Sequence, residues 1–84
     1  MDLKHLTNKI LLSDTKALAL EYRMVTTKLL HHLKEVEKRR LFSDLGYASM
    51  FDYVVKELGF SESSAMRRIH AARLLADVPE IEKD

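Results

Sequence analysis

Leu58-Gly59-Phe60-Ser61 stands between two apolar patterns of helical spacing, and this short stretch decides the fold. On its N-terminal side, Phe51, Val54, Val55 and Leu58 recur at helical intervals, with Ser49 as an N-cap and Asp52 three residues on, a shortened capping box. On its C-terminal side, Ser61 caps a helix predicted to run to about Ala76, with Glu62 in its first turn and Ala65, Ile69, Ala72 and Ala76 as a narrow inner stripe. Gly59 supplies the backbone freedom that a tight turn needs, and Phe60 is placed to plug the angle between the helices. Two short helices joined this way form a helix-turn-helix over residues 49–76.

Upstream, residues 15–41 contain neither Gly nor Pro. Leu18, Tyr22, Val25, Leu29, His32/Leu33 and Val36 follow at spacings of four and three, the seam of one long amphipathic helix over residues 14–42. Such a stripe must be covered, either by the rest of the chain or by a second copy. Three heptads sit at the lower limit for a coiled coil. Leu3, Leu6, Ile10 and Leu11 predict a separate short helix over residues 1–12, with Ser13-Asp14 capping the long one and Gly46 stopping it. At the other end, Asp77, Pro79, Glu80 and Glu82 read as the first turn of a further element over residues 77–84, as if the chain continued into something longer.

The expected fold is therefore all-α: one helical domain of 84 residues in which a long amphipathic helix packs with a helix-turn-helix of two shorter ones. Composition agrees. Two Gly and one Pro are too few for the turns of a sandwich or barrel, and no Cys leaves no disulfide, thiolate zinc site or thiol nucleophile. The chain is too short for a Rossmann, barrel or kinase-type enzyme. No apolar run is long enough to span a bilayer, and the N-terminus lacks the apolar core of a secretory signal, which predicts a cytoplasmic protein with no membrane partner.

A net charge of +1 excludes a polycation, so any nucleic-acid role rests on local placement. Residues 61–76 carry Arg67, Arg68 and Arg73 against Glu62 alone, while residues 77–84 carry a net −3. At 100° per residue, Ser63, Arg67, His70 and Leu74 lie opposite the Ala65 stripe, with Arg68 and Arg73 on the flanks. A helix inserted in the major groove of double-stranded DNA needs this pattern. Ser63, Arg67 and His70 would face base edges, and Ser64, Arg68 and Arg73 the phosphates. The same face could equally be an ordinary solvated one. Leu74 fits a DNA face poorly and could instead meet a downstream element.

Arg39 and Arg40, at the end of the long helix, either complement its dipole or reach a DNA backbone. Lys34 and Lys38 read chiefly as surface partners of Glu35 and Glu37. His31 and His32 point about 100° apart and form no i,i+4 zinc pair, so no metal or other cofactor is expected. Tyr47, beside Gly46, is expected to pin the turn there.

Three segments together resemble the N-terminal region of a bacterial family of HNH endonucleases: the basic run from Thr27 through Phe42, the segment Leu45-Gly46-Tyr47-Ala48-Ser49-Met50-Phe51-Asp52-Tyr53-Val54-Val55, and Leu58-Gly59-Phe60-Ser61-Glu62 followed by Ala65-Met66-Arg67-Arg68-Ile69-His70-Ala71-Ala72-Arg73. The resemblance spans about residues 15–82. It implies an all-helical module that accompanies a nuclease domain and binds DNA or organises the enzyme; similar segments also stand alone in regulators. The nuclease centre itself is not matched. Its ββα hairpin, general-base His and metal ligands have no counterpart among His5, His31, His32, His70 and the single Asn8. The expectation is a non-catalytic DNA-binding module of the nucleoid, acting on no small-molecule substrate. The alternative is an interaction domain that forms a homodimer through the seam Leu18, Tyr22, Val25, Leu29 and Val36.

Overall fold

The computed structural model describes residues 1–76, and its described residues are helical and turn throughout, with no strand. Four α-helices follow in order: α1 (Asn8–Lys38), α2 (Leu41–Asp44), α3 (Met50–Asp52), which runs on as a π-helical turn (Tyr53–Glu57), and α4 (Glu62–Leu74). The all-α reading holds, with the long helix packed against the shorter ones. The element expected over residues 77–84 lies outside the described residues.

The N-terminal helices expected as two are one. Thr7 caps α1, its Oγ1 accepting from the Ile10 amide at 3.2 Å, and the helix passes through Ser13-Asp14 without a break. Ser and Asp favour caps but do not forbid a helix interior, and no Gly or Pro precedes Gly46 to stop propagation. Residues 1–7 form only a turn, with the Leu6 amide on the Leu3 carbonyl.

The long helix also ends earlier than expected, at Lys38 rather than residue 42. The cause is Arg40, whose backbone is left-handed at φ 55 and ψ 37. This conformation reverses the chain after one residue and starts α2. Gly46, at φ 92, terminates α2 rather than α1: its amide bonds Ser43 and the Tyr47 amide bonds Phe42, the paired bonds of a Schellman motif.

The helix-turn-helix is built as the turn residues require. Ser49 Oγ accepts from the Asp52 amide at 3.1 Å, and Ser61 Oγ from the Ser64 amide at 3.2 Å. Between them the ladder widens: Leu58 N–H reaches the Tyr53 carbonyl and Phe60 N–H the Val54 carbonyl, while Gly59 turns at φ 79. α4 leaves helical geometry at Leu75, so Ala76 is exposed rather than part of the inner stripe.

The core is small: Leu33 of α1, Phe42 of α2, Met50 and Val54 of the third helix, and Ala65, Ile69 and Ala72 of α4. Leu29, Leu30, Val36, Tyr47, Phe51 and Phe60 pack around it. Ala65 and Ala72 let α4 approach α1 and α3 closely, since a small residue keeps the packed surfaces near each other. Tyr47 does pin its turn: its hydroxyl donates to Glu57 Oε1 at 2.8 Å, and its ring meets Tyr53 edge-on at 5.9 Å.

Only the second half of the α1 seam enters this core. Leu29, Leu33 and Val36 are covered, whereas Leu18, Tyr22 and Val25 are 63%, 65% and 62% exposed. A helix of 31 residues is about 46 Å long, and the body formed by the remaining elements is too short to follow it.

Candidate nucleic-acid interface

α4 is held by three sides of its own chemistry. Its N-terminus is closed by Ser61, its inner stripe of Ala65, Ile69 and Ala72 is buried, and its C-terminal carbonyl at Leu75 accepts from Lys34 Nζ of α1. What remains outward is the face bearing Ser63, Arg67, His70 and Leu74, all exposed. The Arg67 side chain is exposed and makes no hydrogen bond or ion pair among the described residues, on a helix whose opposite side is buried.

The flanking residues behave differently from the sequence expectation of phosphate contacts. Arg68 is half-buried: its guanidinium lies over the Phe60 ring at 4.7 Å, and Nη1 donates to Ser64 Oγ at 2.5 Å. Its Nε is buried without a hydrogen-bond partner. Ser64 and Arg68 are therefore engaged with each other and with the turn, since a cation over an aromatic face also anchors that ring. Arg73 forks onto Glu37, with Nε 3.0 Å from Oε1 and Nη2 2.7 Å from Oε2. The hydrogen bonds and charge of Arg73 hold the Glu37 carboxyl below the usual range, and the same pairing raises the Arg73 guanidinium.

At the end of α1, Arg39 pairs with Glu35 at 2.7 Å across one helical turn, and Arg40 sits 5.5 Å from the Phe42 ring. Both are exposed. Lys34, Glu37, Lys38 and Arg73 line a shallow open recess where α1 meets α4, three cations around one carboxylate. The structure thus separates the eight expected contact residues into three groups. Ser63, Arg67 and His70 form one free face; Ser64, Arg68, Arg73 and Arg39 already hold partners within the chain, and Arg40 is set by its backbone.

Glu37 was missed by sequence reasoning as a site residue, yet it carried a signal. It shares the α1 face of Leu30 and Leu33, and a carboxylate on a packed stripe demands a cation from the facing element. Phe60 packs against the core as its place in the turn predicts, and its pairing with Arg68 has no signal in the sequence pattern.

Among the described residues, no group of three His, Asp or Glu stands close enough to hold a metal ion, and no helix is long and apolar enough to cross a membrane. No protein-family model, curated protein or solved structure matches the chain.

Proposed function

We propose that this chain is a non-catalytic module that binds double-stranded DNA by laying α4 in the major groove, in the manner expected of the HNH-endonuclease N-terminal region it resembles. One observation carries the reading. Ser63, Arg67 and His70 form a single exposed face, opposite the buried stripe, on a helix fixed by its cap, its core and Arg73. Arg67 has the fork geometry to address guanine, and Ser63 and His70 are short enough to meet base edges or phosphates beside it. Arg68 and Arg73 serve first to position the helix. Arg73 keeps Nη1 for a phosphate, and Lys38, Arg39 and Arg40 stand exposed at the end of α1 for the same backbone. Such a role belongs in the nucleoid.

Fluorescence anisotropy on mixed-sequence duplexes at two salt concentrations tests this. We expect weak non-specific binding that is lost by physiological salt, because the net charge is only +1. Arg67→Ala is expected to cost about 1–3 kcal/mol on a preferred site and to flatten preference between sites. No binding at low salt, or an Arg67→Ala variant indistinguishable from Lys16→Ala, sinks the groove reading.

A second reading, self-association as a homodimer, is favoured by the uncovered half of the seam at Leu18, Tyr22 and Val25. The two readings are compatible, since the seam and the outer face of α4 are different surfaces.

A further inference from the structure

The uncovered half of α1 is a direct continuation of the half that builds the core. Leu11, Leu18 and Val25 repeat every seven residues, and Thr15, Tyr22 and Leu29 follow four residues after each. These six share one face within about 80°. From Leu29 onward the shorter helices cover it; from Asn8 to Val25, eighteen residues or about 27 Å of helix, they do not.

Resting on the self-association reading above, we infer that a second copy of this chain covers the stripe, its own overhang lying antiparallel across residues 8–25. Three observations favour this occupant. Two overhangs of equal length cover each other completely. The body of each chain occupies the same α1 face from Leu29 onward, so a parallel partner would drive its body into this one, whereas an antiparallel partner carries its body to the far end. The stripe itself carries no charge: Asp14 and Glu21 stand about 60–80° from its middle and Lys9, Lys16 and Arg23 about 120–160° from it, on the back of the helix, so an apolar seam like itself, rather than a strongly charged partner, matches it.

Full mutual cover sets Leu11 against the partner's Tyr22 and Thr15 against the partner's Leu18. The pair buries on the order of 1,000 Å² in total, the lower edge of what a specific interface needs, and the dimer is accordingly one that dissociates on dilution.

The chain has no cysteine, so introduced thiols report orientation cleanly. Sedimentation equilibrium of the full chain across a wide concentration range is expected to give a monomer–dimer equilibrium. Leu18→Glu, on a side chain exposed in the monomer, is expected to abolish the dimer with unchanged helix content by circular dichroism. On oxidation, a mixture of Leu11→Cys and Tyr22→Cys chains is expected to cross-link, and neither alone. A monomer at every concentration overturns both the self-association reading and this inference. A dimer in which Leu11→Cys cross-links to itself, or one indifferent to Leu18→Glu, overturns the antiparallel seam and leaves self-association standing.

Discussion

Arg73 closes a two-pronged guanidinium clamp on Glu37, thirty-six residues earlier in the chain, and so ties the last turn of α4 to the last turn of α1. The Arg73 side chain is 54% exposed, so solvent screens most of the attraction. Glu37→Gln or Arg73→Ala is expected to cost about 0.5–1 kcal/mol in urea unfolding.

The same pair sets a pH dependence. Hydrogen bonding by Arg73 lowers the folded pKa of Glu37 below its unfolded value. Its contribution is therefore complete above the unfolded glutamate pKa, about 4.3, and is lost as pH falls through the lower folded one. Carbon NMR of the Glu37 carboxyl is expected to show a depressed titration that rises in Arg73→Gln. An unmoved titration in that variant would count against the clamp.

Backbone conformation gives a pair of substitutions with opposite signs. Arg40 holds φ 55 with a side chain, and Gly59 holds φ 79 without one. Beyond Gly59 and its two chain neighbours, no atom lies within 4 Å of the position a Cβ would take there, so Gly59→Ala is penalised by its backbone alone, about 1 kcal/mol. Arg40→Gly is expected to be neutral or stabilising by up to about 1 kcal/mol. Thermal midpoints of the two variants decide it.

The seam offers a graded test along one helix. Leu33 is buried, and Leu33→Ala is expected to cost about 2–5 kcal/mol. Leu18→Ala, on the overhang, is expected to change the stability of the dilute monomer by less than about 0.5 kcal/mol. Denaturation at low protein concentration separates them.

Ser49→Ala and Ser61→Ala each remove an observed cap bond and are expected to cost about 1 kcal/mol. The Ser61 loss should fall on α4 and be visible as early fraying at its first turn.

Much of this architecture was legible because its signals are local. Ser49, Gly59 and Ser61 mark helix ends by what their own side chains or backbones do, and the Ala65–Ile69–Ala72 stripe follows from helical period alone. What escaped depends on distant partners or on overridden preferences. Ser13-Asp14 has the chemistry of a cap, but an uninterrupted helix on both sides absorbs it. Arg40 breaks α1 in a conformation no sequence rule assigns to arginine. Arg68 and Arg73 look alike as flanking cations, and only the fold shows that one lies on Phe60 and the other on Glu37. The seam read as uniform, because period does not reveal how far the facing elements extend.

The overhang of α1 also gives one continuous helix two different lifetimes against local opening. Amides from residue 29 to the C-terminal end of α1 are released only when the core opens, whereas those before Val25 rest on helix propensity, and an unsupported helix of this length is marginal in water. Hydrogen–deuterium exchange should therefore show a step in the middle of α1, near Thr26, with no break in the backbone to mark it. If copies pair through the stripe, that step shrinks as protein concentration rises, so the N-terminal amides become a direct gauge of assembly.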